Sequence, residues 1–174
     1  MSIANIPEVI NDFNIYHTGN KVIGVTGEVS LPDLEAVTET ISGAGILGEI
    51  DVPVPGRYGS IEQEIPFRVV NKDYFSLISP TDPVDLTLRG SIQELVGSTG
   101  AVGYTGMRYV IRGTCKKIAL GTVKQGGPMD SSITMELTYI LIEIGGKKVF
   151  ELDKVNGVCK VNGKDLLAPI KKYT

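Results

Sequence analysis

Histidine and tryptophan are almost missing: His17 is the only histidine among the 174 residues, and there is no tryptophan. A single imidazole leaves little from which to build a Ser-His-Asp or Cys-His catalytic device, and His17 lies in the turn-like segment His17-Thr18-Gly19-Asn20. The two cysteines, Cys115 and Cys159, lack the paired spacing of zinc ligands and read as buried thiols. No apolar run nears the ~18 residues of a membrane helix; Tyr139-Ile140-Leu141-Ile142 is broken at Glu143. The start, MSIANIPEVIND, lacks the basic and apolar regions of a secretory signal, so none is expected. With 17 Lys+Arg against 20 Asp+Glu the net charge is −3, which disfavours a nucleic-acid binder held by phosphate contacts. No cofactor, metal site or catalytic activity is expected.

The residues that are present point to strands and turns. Apolar residues make up 42% and charged residues 21%, a globular balance, and the length suits one domain spanning residues 1–174. There are 21 Gly and 9 Pro, so turns are frequent. Four segments alternate with period two, the mark of strands with one buried face: Ser60–Val69, Val84–Val96, Met107–Arg112 and Ser131–Tyr139. Gly145-Gly146 reads as a hairpin turn before Lys148-Val149-Phe150, and His17–Asn20 as a turn leading into a strand over Val22–Val29. Asn156-Gly157 and Asn162-Gly163 read as turns around a short strand. Helix is scarce: Asn71–Ser79, stopped by Pro80, with Tyr74, Phe75 and Ile78 on its apolar side, and a short one over Asp165–Lys172 weakened by Pro169. The spacing predicts an all-β domain with one short helix. Gly43–Gly59 stands apart as an irregular, glycine-rich loop, long enough to suggest a functional role or a partner.

Local motifs carry little chemistry. Gly43-Ala44-Gly45-Ile46-Leu47-Gly48 matches G-x-G-x-x-G, but Pro53 and Pro55 follow where a phosphate-binding helix would have to start. Arg108 and Arg112 share a strand face and read as a solvated or pairing surface. Lys116 and Lys117 should point opposite ways if that strand continues unbroken. Glu62 and Glu64 share a polar face without the differently tuned partner that acid–base chemistry needs.

Three ordered segments carry a resemblance: Ser30-Leu31-Pro32-Asp33-Leu34 leading to Gly43–Gly48; the run R-G-x-x-K-x-I-x-x-G-x-x-K-Q-G from Arg112 to Gly126; and K-V-N-G-x-D-x-L from Lys160 to Leu167. Together they span nearly the whole chain, which resembles the major tail tube proteins of contractile-tailed bacteriophages and the inner tubes of R-type bacteriocins. The resemblance implies an antiparallel β-sandwich or half-open barrel with one short flanking helix. Its strands would complete a larger barrel in a hexameric ring, and rings would stack into a conduit inside a sheath. A barrel of about 24 tilted strands has a backbone radius of roughly 26 Å, wide enough for duplex DNA.

Further implied partners are the tail sheath, baseplate and tail terminator proteins, a tape measure protein in the lumen, and DNA in transit only. No membrane binding is implied, and the location is the virion, after assembly in the host bacterial cytoplasm. Within that frame Ile46, Leu47, Ile50, Val52 and Val54 are expected to contact the next ring, being too apolar for a free loop. Glu62, Glu64, Ser132, Thr134 and Glu136 are expected on the lumen wall, and Lys72 and Asp73 toward the sheath. Two readings from other classes compete: a monomeric β-barrel with a small ligand in an apolar interior, and a hydrolase on a β-sandwich, which the single histidine weakens.

Overall fold

The computed structural model describes residues 3–174. In chain order the elements are β1 (Ile6–His17), β2 (Asn20–Lys21), β3 (Ala36–Ser42), β4 (Glu49–Tyr58), β5 (Glu62–Phe67), α1 (Lys72–Ser76), β6 (Val84–Leu95), β7 (Val102–Ala119), β8 (Ser131–Ile144), β9 (Lys147–Asp153), β10 (Val158–Val161), β11 (Lys164–Asp165) and α2 (Ala168–Lys171). One antiparallel sheet runs β11-β10-β9-β8-β7-β6-β1-β2, with β5 also paired to β8, and β3-β4 forms a separate ribbon. The architecture is all-β, as the alternation predicts.

β8 organises the sheet. Its first half pairs with β5 and its second half with β9, while β7 runs along its other edge throughout. The alternating residues Ile133, Met135 and Leu137 are fully buried beside Ile65, Ile111 and Leu86. The β7/β8 ladder is bulged twice, first at Thr138 of β8, where Arg112 and Gly113 face Tyr139 and Leu137, and again at Lys116 of β7, between Cys115 and Lys117, which lets so long a pair of strands bend. The sheet therefore curls until β5 faces β6 and β1 across the core. Tyr109 Oη donates to Gln63 Oε1 at 3.1 Å, and Gln63 Nε2 donates to the carbonyls of Ser30 and Glu64, both at 2.8 Å. The internal space between these layers is about 10 Å³, room for about one water and far too small for an organic ligand. That filled interior removes the basis for a ligand-binding barrel.

Three expectations need correction. Val22–Val29 is not a strand; it crosses as coil, with only Val25 bridged to Phe67. Gly43–Gly59 is not an irregular loop but most of a β-hairpin, turning at Gly43–Gly48. Pro53 sits opposite Thr38 in the ribbon, and Pro55 falls where the register slips, so neither proline breaks it. Finally, Cys159 is buried as a free thiol, but Cys115, beside the second bulge, is only half-buried. The C-terminal helix is confined to Ala168–Lys171, with Pro169 tolerated in its first turn.

The buried Tyr109–Gln63 pair yields a test. Burial pushes the Tyr109 hydroxyl well above the ordinary 10.0. The unfolded chain then loses this proton first as pH rises, so the contribution is intact below pH 10.0 and is lost above it. Tyr109→Phe leaves Gln63 Oε1 short of a donor and should cost about 1–3 kcal/mol at neutral pH in chemical denaturation. It should also flatten the alkaline fall in stability that the wild type shows.

Candidate assembly surfaces

The β3-β4 ribbon is an arm with two unlike faces. Ile41 lies opposite Ile50 and Glu39 opposite Val52, while Thr38, Thr40 and Ser42 lie opposite Pro53, Asp51 and Glu49. One face is thus mostly apolar, carrying Val37, Ile41, Ile50, Val52 and Val54 with Glu39 among them; the other carries Thr38, Thr40, Ser42, Glu49 and Asp51, with Pro53. Val37, Ile41, Ile50 and Val52 are all exposed, and Val54 is half-buried. At the tip Leu47 is wholly exposed, while Ile46 is half-buried by the turn it closes with Gly43. A two-stranded ribbon with an uncovered apolar face is marginal in water by itself.

The arm is anchored firmly at its base. The Tyr58 ring stands edge-on to Phe150 of β9 at 6.3 Å, Lys154 Nζ donates to the Gly59 carbonyl at 2.6 Å, and Gly59 N–H donates to Glu35 at 3.0 Å. Gly56 has φ +74°, and a Cβ there would lie 2.5 Å from Leu167 Cδ2, so glycine is required for the chain to pass this close. The arm projects from the β9–β11 side of the sheet.

A second surface is the polar side of β5, β7 and β8. Glu62 lies opposite Glu136, Glu64 opposite Thr134, and Pro66 opposite Ser132. All five residues expected on a lumen wall therefore share one face of the sheet. Two carboxylates directly opposed would repel. The bulge at Cys115/Lys117 supplies the remedy: it turns Lys116 onto this face, where its ammonium pairs with Glu62 and lies 3.7 Å from Glu136. The hydrogen bond that Lys116 donates to Glu62 holds its amine above its usual range. Glu136 also accepts from Ser60 Oγ at 2.7 Å. Lys117, opposite Thr134, lies on the same face, contrary to the unbroken-strand expectation. Farther along, Arg112 pairs with Asp85 at 2.6 Å and Arg108 with Glu143 at 3.0 Å. Period-two reading missed Lys116 because a bulge is invisible to it.

The third surface surrounds α1. Asn71 caps the helix by accepting from Tyr74 N–H at 2.9 Å, and its Nδ2 donates to the Ile23 carbonyl at 2.9 Å. Asp73 accepts from the Ile23 N–H at 2.8 Å, so this carboxylate is half-buried and pins the coil over Val22–Val25. Lys72 is exposed. Tyr74 is fully buried, edge-on to Phe67 at 5.2 Å. Phe75, expected to cover the core, is instead 56% exposed, and Leu77 takes its place inside. Five helical residues make barely more than one turn, so Tyr74 and Leu77, three apart, hold the inner side, and Ile78, as expected, packs partly buried against the core.

The description that matches the chain, over residues 7–173, is phage tail tube protein FII. The chain is 32% identical to the tail tube protein of Escherichia phage P2 over 168 residues, covering 93% of this chain and 94% of that one. It is 26% identical to the major tail tube protein of Serratia phage KSP20, covering 92% and 91%. Its fold is similar to a chain in the cryo-EM structure of the PVC sheath/tube terminator of an extracellular contractile injection system in the extended state. That likeness has a TM-score of 0.53 at 13% identity and covers 79% of this chain and 96% of the other.

The charge arrangement on the β5/β8 face is directly testable. Lys116→Met should lower the thermal midpoint by leaving Glu62 and Glu136 opposed. Adding Glu62→Gln to that variant should recover most of the loss, which differential scanning calorimetry would read.

Proposed function

The chain belongs to the phage tail tube protein FII family, and from that premise we propose that it is the repeating subunit of a hollow tube inside a contractile sheath. Six copies close a ring, rings stack, and the bore conducts the genome, or stays empty in a bacteriocin-like particle. The observation that carries this reading is the arm: Ile50 and Val52, with Val54 half-buried beyond them, line one face of an anchored ribbon whose outer part the subunit itself does not cover. Those residues, with Ile46 and Leu47 at the tip, seat on the adjoining ring. Burial of five such side chains contributes roughly 1.5–3 kcal/mol each before ordering costs.

The polar β5/β8 face lines the bore. Glu62, Glu64 and Glu136, with Ser132 and Thr134, offer a hydrated wall whose carboxylates repel phosphate, so a passing duplex slides without sticking. The α1 side faces the sheath through Lys72 and its neighbour Asp73, because a one-turn helix cannot sit within a closed wall of strands. The tube meets baseplate and terminator proteins at its ends and encloses a tape measure protein. It assembles in the host bacterial cytoplasm before entering the virion.

Replacing residues 46–54 with a short Gly/Ser linker should leave a folded β domain by circular dichroism that no longer builds tubes in negative-stain electron microscopy. Normal polymerisation of that variant would reduce the arm to a local structural feature. Charge reversal at Lys72, which holds no contact within the fold comparable to that of Asp73, should weaken sheath assembly while leaving tubes intact. Loss of the tubes themselves would contradict an outward helix.

A further inference from the structure

The two ends of the main sheet carry opposite charge. In the first 65 residues only Lys21 and Arg57 are basic, whereas from Lys147 onward the only acids are Glu151, Asp153 and Asp165. Part of this asymmetry becomes spatial: Glu8 and Asp12 lie on β1, toward one end of the strand order, and β9–β11 lie at the other, whereas Glu39, Glu49 and Asp51 lie on the separate β3-β4 arm and Glu62 and Glu64 on β5, paired to β8.

At the β1 end, Glu8 and Asp12 are exposed, and neither has a Lys or Arg within 4.0 Å among the described residues. Glu8 accepts only from Gln93, at 2.8 Å, and Asp12 from the N–H of Phe13. β2 covers β1 only at Tyr16 and His17, so the outer edge from Ile6 to Asn14 has no strand upon it. Ile6, Val9 and Ile10 are about half exposed there, at 57%, 54% and 49%. Lys21 is the cation on this edge, beyond its covered end.

At the opposite end the acids are already engaged. Glu151 accepts from Tyr139 Oη and lies 3.9 Å from Lys148, Asp153 accepts from Val155 and Asn156, and Asp165 accepts from the Leu167 N–H. Lys160, Lys164, Lys171 and Lys172 are exposed and have no carboxylate within 4.0 Å among the described residues. Ile170 and Tyr173 stand beside them, 44% and 84% exposed.

Each end is therefore a charged rim with apolar residues and no partner of its own, and each is complementary to the other rather than to itself. Self-complementary two-fold pairing would set like charges together, whereas head-to-tail contact sets opposite charges together and closes rings. An open strand edge is also unstable toward unwanted pairing unless something covers it. Building on the tube reading, we propose that within a ring the acidic β1 edge of each subunit packs against the lysine-bearing β11–α2 edge of the next copy. The arm, anchored at its base beside β9, is left for the adjoining ring.

The test is a pair of charge-reversed chains, Glu8→Lys/Asp12→Lys and Lys164→Glu/Lys171→Glu, each checked for folding by circular dichroism. The first has two basic ends and the second two acidic ends, so either alone should assemble about tenfold or more poorly than the wild type. An equimolar mixture should recover rings and tubes, because alternating copies restore every contact and six is an even number. Mixed rings should weaken as salt is raised. Normal assembly of either variant alone would overturn the proposal while leaving the arm and the tube reading standing. So would failure of the mixture when both chains are folded. A wild-type chain that forms neither rings nor tubes, alone or with its sheath and baseplate proteins, would overturn the tube reading itself and this contact with it.

Discussion

β8 is the constraint on which the rest of the molecule depends. It is paired along both edges, and its alternation separates a dry side of Ile133, Met135 and Leu137 from a wet side of Ser132, Thr134 and Glu136. A slip of one residue against β7 or β5 would move every one of these to the wrong face. Burying Glu136 while exposing Met135 would forfeit apolar burial and strand a charge, so the register is strongly specified. The bulges are compatible with this because one adds Lys116 on the partner strand β7 and the other, at Thr138 of β8, lies just beyond the stretch from Ser131 to Leu137, whose alternation stays unbroken.

That register then determines what is left over. The interior is complete: Gln63, the one large buried polar side chain, has all its polar atoms bonded, and among the described residues no buried side-chain nitrogen or oxygen lacks a partner. The exterior is not. Val37, Ile41, Ile50 and Val52 on the arm and Ile6, Val9 and Ile10 on β1 remain in water. A subunit can afford this only if the core alone supports the fold, which a curled sheet closed by β5 achieves. The residues that complete the core are thus largely distinct from those left exposed for the proposed assembly.

Much of this was legible from residue spacing. Val84–Leu95, Met107–Arg112, Glu62–Phe67 and Ser131–Leu137 fall on strands whose buried residues follow the expected alternation, because a half-buried strand imprints its period directly on the chain, whereas Val69 lies exposed beyond β5 and the bulge at Thr138 breaks the phase before Tyr139. Gly145-Gly146 turns β8 into β9 as its residue pair suggests. The misses share a cause: they depend on partners distant in sequence. Val22–Val29 looks like a strand locally, but its backbone is used by Asp73, Asn71 and Phe67 instead of a ladder. The arm looked irregular because glycine and proline mark turns on average, yet Pro53 and Gly56 occupy positions where the ribbon and its base accept them. Phe75 and Leu77 exchanged places because one turn of helix is too short to express a period.

The candidate surfaces were legible to different degrees for a related reason. Five apolar residues in a polar loop, or three glutamates in phase, are visible as composition. Their consequences are not, since Lys116 joins the glutamates through a bulge and the charged rims arise only once β1 and β11 stand at opposite ends of the sheet. The two kinds of contact also differ in physical character. In the proposed assembly, apolar burial on the arm is non-directional and would tolerate small shifts between rings, while charge pairing along an edge would weaken when registry is lost. The proposed division therefore gives the contacts around a ring the stronger dependence on registry and those along the stack the weaker one.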